Sequence, residues 1–282
     1  MVDDSARARS FKSDSMPQSY QRHLAPYLFE PWAELLLDAV DPRPGDTVLD
    51  VASGTGVVAR AAARRVGPAG RVLATDISPV MLDFNARYLA GGDAGPAAGD
   101  GAPMEFAVAS ATDLGRPDGE FDLVLCQQGM PFFPDRSGAV CEMHRVLRSG
   151  GTVGIAVWTP GHDVLPFGWI NDPISAAGGA APFPGAFDLA SYVMDADQVA
   201  DLLRDAGFTD VVSHEVALTT RWSSVQTLLA GVHGTPFGPV LAALDEAARD
   251  RVGRQITERF ATLVHDGMVL VPTYSVIARA TA

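Results

Sequence analysis

The stretch "TVLDVASGTGVVARAAARR", residues 47–65, decides the fold of this 282-residue chain. It begins with a short apolar run typical of a buried strand, passes through a glycine turn and ends in a segment typical of a helix. Gly54, Gly56 and Ala59 match the pattern G-x-G-x-x-G/A, in which a strand turns into a helix beside a bound nucleotide. Glycine suits such a turn because the backbone can approach the ligand without Cβ atoms. The stretch therefore predicts the start of a nucleotide-binding βαβ unit.

Strand and helix patterns alternate along the rest of the chain. Apolar runs predict further strands at "RVLATDI" (71–77), "MEFAVAS" (104–110), "EFDLVLCQ" (120–127), "TVGIAVW" (152–158), "DVVSHEVAL" (210–218) and "TYSVIARA" (273–280). We expect Pro272 only at the start of the last strand, because proline cannot donate to a strand ladder. Strands that alternate with helices indicate an α/β fold with a mostly parallel sheet.

The chain organisation indicates one domain. We expect residues 1–19 to form a flexible N-terminal arm and residues 20–282 to form the domain. Two segments rich in Phe, Trp, Pro and Gly, at about 160–194 and 219–267, predict cap insertions over a substrate cavity.

Composition restricts the class of partner. The net charge of −13 argues against nucleic acid and against docking on an anionic membrane. The sequence contains no apolar run of about 18 residues, so it predicts no membrane span, and its first residues do not have the pattern of a signal peptide. We therefore expect a cytoplasmic protein. No His, Cys, Asp or Glu cluster has the spacing of metal ligands, so no metal is expected. The oligomeric state is left open by the sequence.

Two carboxylates end the first two predicted strands. Asp50 stands four residues before Gly54, and Asp76 stands 20 residues after Gly56. The second offset is that of an acid that binds the ribose hydroxyls of an adenosine cofactor. Both NAD and S-adenosylmethionine carry that ribose, so Asp76 by itself does not distinguish them.

Asp50 distinguishes the two cofactors. A pyrophosphate at the glycine turn would meet this carboxylate as a like charge, at a cost of a few kcal/mol in a partly dry cleft. S-adenosylmethionine has no phosphate and carries an ammonium and a sulfonium group, which a carboxylate attracts. The backbone N–H groups of residues 54–57 would then receive its carboxylate. The sequence therefore favours S-adenosylmethionine.

Four stretches carry a family resemblance: "VLDVASGTG", "ATDIS", "FDLVLCQQGMPFFPD" and "EMHRVLRSGGTVGIAVW". They are similar to the successive motifs of class I S-adenosylmethionine-dependent methyltransferases, in the ubiquinone/menaquinone-biosynthesis-like branch, from about Tyr20 to Trp158 and more loosely to the C-terminus. The resemblance implies a Rossmann-like three-layer sandwich whose seven-stranded, mostly parallel sheet has an antiparallel last strand between the fifth and sixth, with helical cap insertions.

The resemblance also implies cofactor-binding residues. Asp76 would bind the ribose diol, Ile77 and Met81 would flank the adenine, and Tyr20 would lie on an N-terminal helix that closes over the cofactor. The methionine portion would be held by Asp50, Ala52, Ser53, Gly54 and Gly56, with Gln127 and Gln128 on its sulfonium side.

One departure from the family pattern lies after the third strand. Such sequences usually have Asp-Ala there, with the acid on the adenine amine, whereas this chain has Ser110, Ala111 and Thr112, followed by Asp113. Ser110 can accept one hydrogen bond, and Asp113 is the alternative adenine contact. The sequence leaves this choice open.

The implied reaction is direct in-line transfer of a methyl group to a small, hydrophobic or aromatic metabolite. A general base is not obligatory, because aligning the nucleophile with an activated methyl group removes much of the barrier. His162 and His233 are the weak candidates for such a base. Phe132 and Phe133, with Met130, either wall the transfer cavity or only pack a loop over the sheet.

Two alternatives from other classes stay open at this point. One is a protein of the same fold that binds S-adenosylmethionine without methyl transfer, as a scaffold or a rearrangement catalyst. The other is an NAD(P)-dependent reductase, which the carboxylate of Asp50 disfavours.

Overall fold

The computed structural model describes residues 15–92, 101–160, 167–182 and 188–282. Its strands form one sheet: β1 (Thr47–Val51), β2 (Arg71–Asp76), β3 (Met104–Val108), β4 (Phe121–Gln127), β5 (Leu147–Trp158), β6 (Thr209–Trp222), β7 (Val264–His265) and β8 (Met268–Thr281). The strand order is β3-β2-β1-β4-β5-β8-β6, and the two-residue β7 pairs with β8. Strands β1–β5 are parallel, and β8 is antiparallel to both β5 and β6. The predicted α/β class and the antiparallel strand inserted beside the fifth are confirmed, with β7 as an addition.

The helices of the described residues lie between and after these strands. They are α1 (Ser15–His23), α2 (Glu30–Val40), α3 (Val57–Val66), α4 (Pro79–Leu89), α5 (Arg136–Val146), α6 (Phe167–Ala176), α7 (Ala196–Asp205), α8 (Val225–Val232), α9 (Phe237–Ala243) and α10 (Glu246–Ala261). A π-helical turn joins α1 to α2, and short 3-10 turns span Met130–Phe132 and Leu189–Tyr192. Within the described ranges, no helix combines the length and apolar character that crossing a bilayer requires.

Two apolar cores lie on the two faces of the sheet. Along β4, Leu123 and Leu125 belong to one core, whereas Val124 and Cys126 belong to the other. The first core contains side chains of α2 and α3, and the second contains side chains of α5 and α7. Central parallel strands read as continuous apolar runs because they are buried on both faces. The arrangement is the predicted three-layer sandwich.

The sheet order positions a binding crevice at one edge. Strand β1 lies between β2 and β4, so the connections that leave β1 and β4 diverge to opposite sides of the sheet. Ligands bind at such a point, outside the carboxyl ends of the strands. Asp50, Asp76 and Gln127 all stand at the ends of these strands.

Three predicted boundaries are wrong. Residues 15–19, which we expected in the flexible arm, form the first turns of α1, where Met16 is 1% exposed. The cap segment expected from residue 219 begins later, because β6 continues to Trp222. The last strand begins at Met268 rather than after Pro272. Residues 1–14 of the expected arm lie outside the described residues.

Pro272 lies inside β8, which contradicts its expected place at the start of a strand. Pro272 is opposite Thr219 of β6, but the pairing of β8 with β5 ends where Ser275 meets Trp158. Around Pro272, β8 therefore has a neighbouring strand on one side only. Sheets tolerate proline at such an edge. On the side without a neighbouring strand, the missing N–H of proline costs no inter-strand hydrogen bond.

The glycine turn is shaped by one close contact. Gly56 has φ +81°, and a Cβ built on it would lie 1.9 Å from Nδ2 of Asn85 on α4. Gly56 precedes α3 directly, so α4 can pack against the start of α3 only because Gly56 has no side chain.

We expect Gly56→Ala to destabilise the protein by about 3 kcal/mol or more, because left-handed strain adds to overpacking against Asn85. Gly91→Ala is the matched control: Gly91 has the same φ of +81°, and nothing lies within 4 Å of its built Cβ. The control should lose only about 1–2 kcal/mol from strain. Urea unfolding of both variants measures the difference, and equal losses would contradict the contact with Asn85.

Candidate cofactor and acceptor site

A cavity of about 210 Å³ lies at the carboxyl ends of β1, β2 and β4. The structure brings most of the predicted cofactor residues together in its lining: Tyr20, Ala52, Gly54, Asp76, Ile77, Met81, Ser110, Ala111, Thr112, Gln127 and Gln128. Asp50, Ser53 and Gly56 are not among the lining residues. We call the part lined by the predicted cofactor residues the cofactor end.

Asp76 is held by backbone donors from two turns. Its Oδ2 accepts from the N–H of Gly54 at 2.8 Å, and its Oδ1 accepts from the N–H of Ser78 at 2.8 Å. Burial raises the pKa of Asp76 above its ordinary value, although these N–H groups oppose the rise by favouring the carboxylate. A carboxylate oxygen has more than one lone-pair site, so each oxygen retains room for a ligand hydroxyl.

The same bonds correct one expectation about the glycine turn. The N–H of Gly54 donates to Asp76, and the N–H of Gly56 donates to the carbonyl of Ser53 at 2.8 Å. These two N–H groups are therefore already bonded to protein acceptors. The sequence had suggested instead that they bind a cofactor carboxylate.

Asp50 lies beneath the turn rather than in the cavity wall. It is 1% exposed, and its Oδ2 accepts from the N–H of Ala59 in the first turn of α3 at 2.9 Å. Burial raises the pKa of Asp50 to about 8, and the nearby Asp76 adds to the rise, while the Ala59 N–H opposes it. Asp50 thus caps α3 and does not line the cavity, whereas the resemblance had placed it at the methionine portion of the cofactor.

Two residues at the cofactor end have a left-handed backbone without being glycine. Ala52 and Gln128 both have φ +58°, a conformation that costs energy for residues with a Cβ. The N–H of Gln128 donates to the carbonyl of Ala156 at 2.7 Å, and its Nε2 donates to Oγ of Ser275 at 2.9 Å. These bonds hold the strained residue in place.

Gln127 and Gln128 present carboxamide oxygens. Nε2 of Gln127 donates to the carbonyl of Phe29 at 3.0 Å, whereas Nε2 of Gln128 is bound to Ser275. The Oε1 atom of each glutamine is buried and has no partner among the described residues. Both side chains are therefore anchored through nitrogen and leave an acceptor oxygen unused.

Sequence reasoning missed a buried arginine beside the turn. Arg60 of α3 donates to the carbonyl of Thr55, to Oδ1 of Asn85 at 3.2 Å and to Oε1 of Gln21 at 2.9 Å. Its guanidinium also lies 4.8 Å from the ring centre of Tyr88. These bonds join α1, the glycine turn and α4. No motif signals this role, because an arginine in a helix is usually exposed.

The N-terminal helix lies over the cofactor end, where the resemblance placed it. Tyr20 lines the cavity and stacks on Phe29 at 5.0 Å between ring centres. Oγ of Ser19 donates to the carbonyl of Ala230 in α8 at 2.9 Å, and a Cβ at Gly234 would lie 2.4 Å from the nitrogen of Tyr20. Helix α1 is thus wedged between the cofactor end and the cap.

The structure places the two candidate adenine contacts, Ser110 and Asp113, differently. Ser110, Ala111 and Thr112 line the cavity, and Oγ of Ser110 lies 3.0 Å from Oγ1 of Thr112. Asp113 is exposed and does not line the cavity. The geometry therefore favours the Ser110 side over Asp113.

The other part of the cavity, which we call the acceptor end, is lined mainly by aromatic and aliphatic side chains. They are Leu24, Phe29, Pro131, Phe132, Phe133, Trp158, Phe167, Ile170, Tyr192, Trp222, Leu228, Val232 and Phe237. Phe132 and Phe133 thus wall the cavity, whereas Met130 is buried in the core on the α5 face.

Neither histidine candidate is placed as a base by the structure. His233 is exposed at the end of α8 and does not line the cavity, which contradicts its candidacy. His162 lies outside the described residues.

The buried carboxyl of Asp50 predicts a pH-dependent stability. Its pKa of about 8 in the native protein lies above the value of about 4 in an unfolded chain. The stability gained from its protonated form is complete below about pH 4, falls as the pH rises and is gone once the pH passes 8. Asp50→Asn keeps an oxygen for the Ala59 N–H and does not titrate.

We therefore expect the melting temperature of cofactor-free Asp50→Asn, relative to that of the cofactor-free wild type, to be higher at pH 8.5 than at pH 5. Scanning calorimetry at the two pH values measures this. Asp113→Asn, at an exposed position, should follow the wild type. A constant difference between Asp50→Asn and the wild type would contradict the raised pKa.

Comparisons with known proteins identify a family. Residues 49–155 match the family described as a methyltransferase domain. The chain is 35% identical over 213 residues to nocamycin O-methyltransferase of Saccharothrix syringae, covering 71% of this chain and 72% of that protein. It is 32% identical over 192 residues to ubiquinone/menaquinone biosynthesis C-methyltransferase UbiE of Bordetella avium, covering 64% and 70%.

A solved structure is similar over the whole chain. Phosphoethanolamine N-methyltransferase 2 of Haemonchus contortus, in complex with S-adenosyl-L-methionine, matches with a TM-score of 0.61 at 16% identity, covering 100% of this chain and 60% of that one. At this identity the similarity concerns the fold.

Proposed function

This chain belongs to the class I S-adenosylmethionine-dependent methyltransferases, and we propose that it methylates an uncharged, largely aromatic small molecule. Similarity to an O-methyltransferase and a C-methyltransferase supports a small acceptor. The alternatives of a nicotinamide-dependent reductase and of a cofactor-binding protein without transfer gain no support from these relatives.

The residues present fit the cofactor. A carboxylate with spare lone-pair sites ends β2, and two buried glutamine oxygens lack partners. A Cβ at Gly54 would meet nothing within 4 Å, so open space lies beside the turn. Asp76 would bind the ribose hydroxyls, Ser110 to Thr112 would lie at the adenine, and Gln127 and Gln128 would lie at the methionine side. S-adenosylmethionine supplies a methyl group already activated on a sulfonium.

The observation that carries the acceptor proposal is the lining of the acceptor end. Among the described residues that line the cavity, Asp76 is the one that carries a charge, and it lies at the cofactor end. An anionic or cationic acceptor would lose its hydration there without gaining a partner of opposite charge. An uncharged molecule with apolar rings is therefore favoured.

Water exclusion and alignment account for the chemistry that the chain supplies. The aromatic wall keeps the acceptor in a dry space, and the glutamine oxygens can accept a hydrogen bond from its hydroxyl. No described residue at the acceptor end carries an imidazole or a carboxylate. Acceptors whose hydroxyl loses its proton easily, such as phenols and enols, therefore fit this site best.

Replacement of Asp76 tests the cofactor assignment. Asp76→Ala removes charge-assisted hydrogen bonds, so the affinity for S-adenosylmethionine should fall about 10- to 150-fold. Asp113→Ala, outside the cavity, should bind like the wild type. Titration calorimetry on both variants measures the effect, and an Asp76→Ala variant of unchanged affinity would remove Asp76 from the site.

Turnover tests the proposed reaction. With S-adenosylmethionine and a panel of aromatic acceptors, we expect S-adenosylhomocysteine to form with uncharged phenols and enols at least about tenfold faster than with benzoates or aryl ammonium ions, in line with the cost of burying an unpaired charge. Chromatography of the released S-adenosylhomocysteine measures this. Preferential turnover of charged acceptors would disprove the proposal, and cofactor binding without any turnover would support the non-transferring alternative.

A further inference from the structure

One polar side chain at the acceptor end has no partner. Asn171 of α6 is 2% exposed and lines the cavity. Both its Nδ2 and its Oδ1 are buried without a hydrogen-bond partner among the described residues. It therefore differs from Gln127 and Gln128, each of which is anchored through its nitrogen.

An unpaired buried amide disfavours the native state, since its donor and acceptor both lose water on folding. Buried polar groups without a partner are few in folded proteins, and a ligand that pairs them is one explanation of their presence. A leucine of similar volume would fill the same space without this loss. The asparagine is thus costly for folding in the free protein, which points to a role in binding.

The surroundings of Asn171 favour a planar ligand. Phe167, Ile170 and Asn171 are spaced to share one face of α6, and all three line the cavity. The ring of Phe167 is nearly parallel to that of Tyr192, with 6.5 Å between ring centres and 9° between planes, and lies 5.4 Å from the ring of Trp158. Flat aromatic walls therefore border the amide.

A carboxamide offers a donor and an acceptor side by side. Its complement is a group with the same pair, such as a lactam or another amide edge. A carboxylate or an ammonium would use only one of the two groups, and the described acceptor end holds no charge to balance it.

We propose that Asn171 binds the polar edge of the acceptor molecule and selects uncharged planar compounds that carry a donor and an acceptor side by side, as a lactam does. This inference rests on the proposed function, because it assigns the acceptor end of the same cavity. Asn171 is accordingly a specificity-determining residue.

Binding of two probes tests the proposal on the cofactor-free protein. The bicyclic 2-quinolone has a lactam edge, whereas naphthalene has similar ring area and no polar edge. We expect the wild type to bind 2-quinolone more tightly than naphthalene. Asn171→Leu should weaken 2-quinolone binding about tenfold and leave naphthalene binding within about twofold, in line with the loss of paired hydrogen bonds. Asn171→Ala should lose the preference in the same way.

The melting temperature of the free protein provides a second readout. Asn171→Leu should melt higher than the wild type, because it removes two unpaired buried groups. Asn85→Leu is the contrasting control: Asn85 is also buried, but its Oδ1 accepts from Arg60, so this variant should melt lower. A structural role of Asn171 would make both variants melt lower.

The outcomes separate this inference from the proposed function. A lowered melting temperature of Asn171→Leu, equal binding of the two probes to the wild type, or an unchanged preference in both Asn171 variants would overturn it. S-adenosylmethionine affinity should be the same in Asn171→Leu and the wild type. A wild type that binds no S-adenosylmethionine would overturn the proposed function, while the probe and melting results would still decide the role of Asn171.

Discussion

The hydrogen bond from the N–H of Gly54 to the carboxylate of Asp76 connects the two turns on which the cofactor end depends. It forms because β1 and β2 are adjacent, parallel and in register, so that the turns after them meet. Asp50 lies buried beneath the same turn, and burial together with the nearby carboxylate of Asp76 raises its pKa. The N–H of Ala59 and the guanidinium of Arg60 oppose the rise in the pKa of Asp50. Asp76 places a carboxylate in the cavity lining, and a cationic ligand suits that carboxylate better than a phosphate does.

The cofactor end was largely predictable because its signals are local. The spacing from Gly56 to Asp76 depends on one strand-helix-strand unit, and such units vary little in geometry. The mostly parallel sheet and the inserted antiparallel last strand followed from the family resemblance and are confirmed. Arg60 was not predictable, since its burial results from α1 and α4 packing over α3. The full lengths of β6 and β8 were missed because a strand can contain proline where a neighbouring strand is absent on one side. The sequence does not show that the pairing of β5 with β8 ends before Pro272.

The two ends of the cavity differ in how their polar groups are satisfied. At the cofactor end the N–H groups of Gly54 and Gly56 are already paired, and the cavity lining offers carboxylate and carboxamide groups. At the acceptor end the walls are apolar, and a polar residue there stands out by having no partner. Side chains of α6, α8, α9 and α10 belong to the same apolar core as those of α2 and α3. The cap is therefore continuous with the sheet rather than a separate lid.

The position of β8 sets when the site can form during synthesis. Strand β8 separates β5 from β6, although it follows both in the chain, and its Ser275 holds the strained Gln128 at the cofactor end. While a ribosome is still translating residues before 268, β6 has no strand to pair with and Gln128 lacks its anchor. A nascent chain therefore acquires the partner strand of β6 and the anchor of Gln128 only once β8 itself has been made.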